Sequence, residues 1–192
     1  MTTDNFLTEI PIIETKHYLL RGVTLDDIPC LFSFMSERET MKYITPHPVK
    51  SKAELHENMA QSLNNFKHGK EIPWVIIDKN RGEIVGFFRF HKLNLWHKKT
   101  EMGVVIRKDA QNSGVMTEVL AAILPFGFNR LRLNRIVGDI FAENIASEKL
   151  LMKFGFKKEG QLRQTDFDGI RYHDTVVFSL LKSEFQQNQT WK

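Results

Sequence analysis

The stretch that decides the fold is residues 100–128, which read T-E-M-G-V-V-I-R-K-D-A-Q-N-S-G-V-M-T-E-V-L-A-A-I-L-P-F-G-F. Residues 100–106 are mostly apolar and rich in β-branched side chains, which predicts a buried strand. The polar residues from Asp109 to Ser113 predict a turn, and the apolar residues from Gly114 onward predict a helix. Pro125 has no backbone N–H, so we expect it to bend the end of that helix.

A strand, a turn and a helix in this order make a place where an anion can bind the main chain. The first N–H groups of a helix have no partner within the helix, and the positive end of the helix dipole lies at the same point. Gly114 allows close approach of a ligand because it has no Cβ, and Ser113 offers a hydroxyl. A junction that binds nothing has the same pattern, so a purely structural turn also fits.

Several other chemistries are disfavoured by missing motifs. The chain contains neither G-x-x-x-x-G-K-[ST] nor G-x-G-x-x-G, which argues against nucleoside triphosphate hydrolysis and dinucleotide redox chemistry. Its 7 histidines show no H-x-x-x-H and no Cys/His spacing, so we predict no metal site.

The length of 192 residues fits a single domain, which we expect over residues 1–192 with its core at about 16–182. No apolar run reaches the length of a membrane span, and residues 1–5 show no basic region before an apolar one. We therefore predict a cytoplasmic protein that does not enter a membrane. The single cysteine, Cys30, lies among apolar residues and is expected to be an inert core thiol.

The net charge of +4 makes the chain mildly basic. Its lysines and arginines are spread out, without the basic and aromatic repeats that grip nucleic acid, so we predict no direct nucleic-acid site. A basic surface is compatible with a phosphate-rich cofactor or with a ribosome-associated partner. The sequence leaves open whether the chain forms a homodimer.

Periodicity and capping patterns predict the remaining elements. Thr24 and Ser51 each precede an acid by three residues and predict helix starts, and Asn144 predicts another. The predicted strands are residues 16–23, 72–78, 83–93, 100–106, 135–141, 156–164 and 172–181. The predicted helices are residues 24–37, 37–44, 51–69, 114–128 and 144–154, and we expect a frayed or disordered tail after Glu184.

The residues at the central turn resemble a known family. Q-N-S-G-V-M at residues 111–116 is similar to the Q/R-x-x-G-x-G/A loop with which GNAT-superfamily N-acetyltransferases hold the pyrophosphate of acetyl-CoA. Met116 departs from the pattern, which usually has Gly or Ala there. N-x-x-S-x-x-L-L-x-x-F-G-F from Asn144 resembles another GNAT segment, and D-G-I-R-Y-H-D-T-V-V-F-S-L-L from Asp168 resembles the branch of Rim-type ribosomal-protein N-terminal acetyltransferases.

The resemblance implies both a fold and an activity. The fold is an α/β (α+β) GNAT domain, whose mixed, mostly antiparallel sheet of six to seven strands is splayed between its fourth and fifth strands and flanked by helices. The activity is transfer of an acetyl group from acetyl-CoA to a primary amine, here the N-terminal amine of a ribosomal protein, by direct attack in a ternary complex. The cofactor-binding residues implied are Val104, Val105, Ile106, Gln111, Asn112, Ser113, Gly114, Val115, Met116 and Asn144.

Acetyl transfer to an amine needs a group that removes a proton from the amine. Glu101 is the acid in an otherwise apolar run, and burial raises a carboxyl pKa toward the range of a useful base, so we predict Glu101 as the base. An ion pair with Lys98 or Lys99 at a solvated strand end is the structural alternative. Ser147 is the candidate acid for the thiolate, because Leu151 stands where many GNAT enzymes have a tyrosine; a capping hydroxyl is its structural alternative.

The choice of amine acceptor stays open in the sequence. The helical segment between the first two strands varies with substrate in GNAT enzymes, and we expect specificity to lie there. Asp166, Asp168 and Asp174 could form, with Glu101, a negative mouth for a cationic amine, although Asp168 and Gly169 are also a typical turn pair. The alternatives are a small amine such as a polyamine, an antibiotic or an amino acid, and a module that binds acyl-CoA or the ribosome without turnover.

Overall fold

The computed structural model describes residues 7–187. All predicted strands are present as β2 to β8, and a short strand that the sequence did not predict, β1, precedes them. The strands are β1 Ile13–Glu14, β2 Tyr18–Gly22, β3 Ile72–Asp78, β4 Glu83–Asn94, β5 Lys99–Ile106, β6 Arg135–Phe141, β7 Lys157–Phe167 and β8 Tyr172–Leu181.

The predicted helices are also present, with the first of them divided. A 3-10 turn at Leu25–Asp27 leads into α1, and the carboxylate of Asp27 accepts hydrogen bonds from the Thr24 N–H at 2.8 Å and from Arg21 at 2.7 and 2.8 Å. The helices are α1 Ile28–Met35, α2 Arg38–Met41, α3 Lys52–Lys67, α4 Val115–Pro125, α5 Ile145–Lys153 and α6 Lys182–Gln187. The α-helical hydrogen bonding of α4 ends at Pro125, the residue at which the sequence predicts a bend, and a wider π-helical turn, Phe126–Arg130, follows.

The strands form one sheet in the order β1-β2-β3-β4-β5-β6-β8-β7. All neighbours are antiparallel except β5 and β6, which are parallel. These two strands pair only from Lys99 with Arg135 to Glu101 with Val137, and beyond Glu101 no pairing joins them. The predicted mixed, mostly antiparallel α/β fold, splayed between the fourth and fifth predicted strands, is confirmed.

Helices cover both faces of the sheet, and each face has its own apolar core. On one face α4 and α5 pack against the sheet through residues such as Val119 and Leu151. On the other face α1 and α3 pack through residues such as Phe34 and Leu55. Side chains alternate along a strand, so neighbouring positions of β5 contribute to different cores: Val104 packs under α4, and Val105 packs under α1 and α3.

The C-terminal segment differs from the prediction of a frayed or disordered tail. The tail does not fray at Glu184, because α6 continues to Gln187 and the buried Phe185 stacks on Phe128 at 4.8 Å between ring centroids. Residues 1–5, on which the expectation about a targeting segment rests, lie outside the described residues, as do residues 188–192. Within residues 7–187, no helix combines the length and apolar character that a membrane span needs.

Candidate active site

The separation of β5 from β6 leaves one edge of β5 without a partner strand. Arg107 N donates to Val85 O of β4 at 2.9 Å, and residues of an antiparallel pair direct their N–H and C=O groups alternately to the two sides. Val105 therefore directs its groups to β4. Met102, Val104 and Ile106 direct their N–H and C=O groups to the other side, toward the gap, where the Ile106 C=O is already bonded to the Gln111 side chain.

The predicted turn between β5 and α4 is built from local hydrogen bonds. Gln111 donates its side-chain N–H to Ile106 O at 3.0 Å, and Ser113 Oγ donates to Ala110 O at 2.7 Å. Gly114 caps α4 with φ 90°, a left-handed conformation that favours glycine, and a Cβ built at this position would meet no atom within 4 Å. The predicted Ser113 hydroxyl is thus engaged within the turn, whereas the space beside Gly114 is open.

The main chain of this turn presents a row of free donors. The first hydrogen bond of α4 runs from Glu118 N to Gly114 O at 3.1 Å. The backbone N–H groups of residues 112–117 have no hydrogen-bond partner within residues 7–187. Consecutive free N–H groups at the positive end of a helix dipole attract an anion, and a diphosphate offers enough oxygen atoms to satisfy several of them.

A cleft of about 400 Å³ lies in the gap between the separated strands. It contains five of the predicted site residues, which come from β5, α4, α5 and the turn before α5: Glu101, Val104, Met116, Asn144 and Ser147. Val105, Ile106, Gln111, Asn112, Ser113, Gly114 and Val115 are not among the residues that line it. The predicted cofactor residues therefore divide into a cleft wall and the separate turn.

The cleft has two chemically different sides. Apolar side chains line it on the face of the sheet that α4 and α5 cover, among them Met102, Leu120, Leu150 and Leu151. Glu101 lies one residue before Met102, and Asp139 lies between Gly138 and Ile140, so both carboxylates point to the opposite face. We call Glu101 and Asp139 the carboxylate pair.

Glu101 is held by a lysine that the sequence did not indicate. Its carboxylate lies 2.8 Å from Lys92 Nζ, and three quarters of its side-chain surface is covered, with 25% exposed. The structural alternative, an ion pair of Glu101 with Lys98 or Lys99, is therefore wrong in its partner. The reason is a bulge in β4 between His91 and Asn94, where Lys92 takes a φ of 49°; neither the bulge nor the conformation is visible in the residue pattern.

Asn144 and Ser147 both have the capping geometry that a structural role requires. Asn144 Oδ1 accepts a hydrogen bond from Ser147 N at 3.2 Å and so begins α5. Their remaining groups, the Asn144 amide N–H and the Ser147 hydroxyl, have no hydrogen-bond partner within the described part of the chain. Because both residues line the cleft, these donors are available to a ligand.

Asp139 and His91, neither of which the sequence predicted as a site residue, also line the cleft. Partial burial and the nearby charge of Glu101 raise the pKa of Asp139, while burial and Arg89 lower the pKa of His91. A carboxyl group with a raised pKa exchanges protons closer to neutral pH, as a base for amines requires. Asp139 was detectable by the signal that identified Glu101, an acid inside an apolar strand.

The predicted negative mouth is only partly formed. Asp166 lines the cleft. Asp168 and Asp174 do not, because hydrogen bonds hold them within the β7–β8 hairpin. Asp168 accepts from the N–H groups of Ile170 and Arg171, and Asp174 accepts from Gln161 and from Gln164 N. The turn interpretation of Asp168 is therefore the right one. Among the described residues, no three His, Cys, Asp or Glu side chains are grouped to hold a metal ion.

Residues 17–157 match the model of a family described as the acetyltransferase (GNAT) domain. The chain belongs to the GNAT family. The resemblance that the turn suggested is confirmed, and the protein is an acetyl-CoA-dependent acyltransferase.

The relatives of this GNAT protein differ in the acceptors that their names give. An uncharacterized N-acetyltransferase of Bacillus subtilis (strain 168), YoaA, is 31% identical over 172 residues, which are 90% of this chain and 97% of YoaA. Two structures solved with coenzyme A share the fold. The ribosomal L7/L12 alpha-N-protein acetyltransferase RimL has a TM-score of 0.81 and 20% identity over 89% of this chain and 98% of its own. The spermidine N-acetyltransferase of Vibrio cholerae, whose structure also contains spermine, has a TM-score of 0.80 and 24% identity over 88% of this chain and 98% of its own.

Replacement of Asp139 should change how the stability of this GNAT domain depends on pH. The raised pKa of Asp139 means that the folded protein holds that proton to a higher pH than the unfolded chain does, so stability falls as pH rises from about 3.9 through the raised value. Asp139→Asn should therefore melt at the same or a slightly higher temperature than the parent at pH 7. The two should converge near pH 3, where the carboxyl is protonated in both states.

Asp174→Asn is the matched control, with the opposite sign. Hydrogen bonds from Gln164 N and from Gln161 lower the pKa of Asp174, so its contribution is present above the ordinary aspartate pKa and is lost as pH falls. This variant should melt below the parent at pH 7. Thermal unfolding by circular dichroism gives both comparisons, and a lower melting temperature for Asp139→Asn at pH 7 would contradict the assignment of Asp139.

Proposed function

We propose that this enzyme acetylates the N-terminal amine of a protein, with a ribosomal protein as the acceptor, by direct attack on acetyl-CoA in a ternary complex. The observation that carries the proposal is the split between β5 and β6. It places an unpaired strand edge and the carboxylate pair at one cleft, and Met116 connects that cleft to the turn with its row of free N–H groups. Acetylation of newly made proteins is consistent with the predicted cytoplasmic location.

The free groups of the chain fit acetyl-CoA in three places. The N–H groups of residues 112–117 would hold the diphosphate, with Gly114 leaving room for it. The C=O of Val104 and the N–H of Ile106, which face the gap, would hydrogen-bond the amides of the pantetheine arm, as an added strand would, and the Asn144 amide would hold it from the other side. The apolar side chains at Met116 and Leu120 would shelter the thioester.

Acetyl-CoA, when bound, supplies a thioester carbon that an amine can attack. The acceptor arrives as an ammonium ion, and the carboxylate pair binds it through charge and removes one proton. Glu101 acts as the base, directly or through one water, after its contact with Lys92 is exchanged for the ammonium. Asp139 raises the local negative charge and holds the proton in turn, since its pKa is raised.

Two donors of the chain act on the other side of the reaction. The backbone N–H of Val104 faces the gap and stabilises the negative charge that develops on the thioester oxygen. As the C–N bond forms and the C–S bond breaks, Ser147 Oγ gives its proton to the departing sulfur and regains one from solvent. The second proton lost by the amine nitrogen passes to the carboxylate pair, so the products are an amide and a free thiol.

A protein N-terminus is favoured by the way the cleft opens. Tyr43 and Ile44, just after α2, line it together with Asp166 of β7, so two surface segments border the path of the acceptor. Tyr43 and Ile44 are 39% and 40% exposed, and such partly exposed apolar side chains can pack against a peptide. The carboxylates of the cleft equally favour a polyamine, which is the second candidate acceptor, and the fold shared with a spermidine acetyltransferase supports it.

The turn can be tested with a matched pair of glycine variants. Gly114→Ala places a Cβ beside the free N–H groups and strains a left-handed residue, so we expect the Kd for coenzyme A to rise about tenfold, equivalent to about 1.4 kcal/mol. Gly82→Ala is the control, because Gly82 also has a left-handed φ, of 67°, and open space around it, but lies in the β3–β4 turn. Titration calorimetry with coenzyme A gives the Kd of both variants. Equal losses of affinity in the two would contradict the assignment of the turn.

The base can be tested by Glu101→Gln, which keeps the shape of the side chain but cannot accept a proton. We expect kcat to fall about a hundredfold and the acid limb of the rate against pH to be lost, while the affinity for coenzyme A stays within about twofold. Glu57→Gln on the exposed surface of α3 is the control and should leave the rate unchanged. An unchanged pH curve in Glu101→Gln would exclude Glu101 as the base and leave Asp139 for that role.

The acceptor is decided by release of free CoA thiol from acetyl-CoA with a panel of amines. We expect release with peptides that have a free N-terminus and none with the same peptides acetylated at that end. Release with spermidine but not with peptides would replace the first candidate by the second. Absence of release with every amine would contradict the proposed reaction.

A further inference from the structure

A second cavity, of about 470 Å³, continues from the cleft along β4. It lies at the end of α3 and between the ends of β4 and β5, on the same face of the sheet as the carboxylate pair. The two cavities share Arg89, His91 and Lys92 in their linings, so they meet along this strand. We call the second cavity the basic groove, after the four basic side chains that line it: Lys70, Arg89, Lys92 and Lys99.

The positive charge of the basic groove is poorly compensated by the chain. Its carboxylate, Glu71, is buried and already accepts hydrogen bonds from Ser62 at 2.8 Å and Asn65 at 3.1 Å, besides an ion pair with Arg89 at 3.3 Å. Lys70 and Lys99 are exposed and have no ion-pair partner within residues 7–187. His91 adds no charge at neutral pH, because burial lowers its pKa.

The cleft beside the basic groove is lined by more negative than positive side chains. Glu101, Asp139 and Asp166 outnumber the two cations Arg89 and Lys92, which the cleft shares with the basic groove. A ligand that spans both cavities therefore meets negative charge at one end and positive charge at the other. The chemistry that satisfies both ends is a primary ammonium followed closely by an anionic group.

We infer that the basic groove binds the acidic side chains of the acceptor, and that the preferred acceptor is a protein whose N-terminal residue is followed directly by aspartate or glutamate. This inference rests on the proposed function and adds the sequence preference of the same site. An extended peptide advances about 3.3 Å per residue, so its second to fourth residues lie roughly 3 to 10 Å beyond the amine. The groove begins within that reach, because Lys92, which lines it, lies 2.8 Å from Glu101.

Lys92 lines both the cleft and the basic groove, so it lies between the sites for the two ends of this ligand. Its ammonium lies 2.8 Å from Glu101, so it occupies the position that the ammonium of the acceptor requires. When the acceptor arrives, its ammonium replaces Lys92 at Glu101, and Lys92 turns to the groove that it also lines. An acidic residue on the acceptor gives the displaced lysine a new partner, whereas a neutral residue does not. A polyamine instead brings a second cation toward the groove and is disfavoured.

The test compares two peptides of equal length, Ala-Asp-Glu-Asp and Ala-Asn-Gln-Asn, each extended by the same neutral sequence. The parent enzyme should show a KM for the acidic peptide several-fold below that for the neutral peptide. In the double variant Lys70→Gln/Lys99→Gln, the KM for the acidic peptide should rise about fivefold, with kcat nearly unchanged and with the KM for the neutral peptide within about twofold. Added salt should weaken the preference of the parent for the acidic peptide.

Lys52→Gln/Lys158→Gln is the control, because it removes the same charge from exposed lysines that line neither cavity. It should leave both KM values unchanged. Equal KM values for the two peptides in the parent, or equal rises for both peptides in Lys70→Gln/Lys99→Gln, would overturn the inference while leaving the proposed function intact. Turnover of free glutamate but of neither peptide would overturn both, in favour of a small zwitterionic acceptor. Turnover of none of them would refute the proposed function itself.

Discussion

The structure depends on a restriction of pairing between β5 and β6, which hydrogen-bond only near Lys99 to Glu101 and then separate. Unpaired backbone N–H and C=O groups inside a sheet cost free energy unless water or a ligand satisfies them. The gap therefore favours a ligand that hydrogen-bonds the free edge of β5. Gly138 of β6 lies beside this gap. A Cβ built on it would come within 3.2 Å of the methyl groups of Leu151 and 3.5 Å of Met102 Cε, so side chains of α5 and β5 pack where Gly138 has none.

The same separation gives each reactant its own face of the sheet. The turn at residues 112–117 and the helices α4 and α5 lie on one face, where free N–H groups and apolar side chains suit a phosphorylated thioester. The carboxylate pair lies on the other face, where the proposed mechanism has an ammonium ion bind and lose its proton. In that mechanism the reaction occurs through the gap itself, which brings both reactants to the same backbone edge, and neither needs to displace the other.

Features fixed by neighbouring residues were predictable from the sequence, and features fixed by contacts across strands were not. The turn after β5, the cap at Asn144 and the capping residue Ser51, which accepts a hydrogen bond from Glu54 N, all follow from residues within a few positions of one another. The ion pair of Glu101 with Lys92 depends on a bulge in β4, and the meeting of Glu101 with Asp139 depends on the register of two distant strands. The two-residue strand β1 is too short to show any periodicity.

The central claim is that the main-chain N–H groups of residues 112–117 bind a diphosphate and so align the cofactor with the gap. Amide resonances or hydrogen exchange of these residues test it most directly, with coenzyme A compared with pantetheine, which lacks the diphosphate. We expect coenzyme A to shift and protect these amides and pantetheine to leave them as in the free protein. Binding of coenzyme A that leaves these amides unperturbed, or perturbs them no more than pantetheine does, would contradict the account.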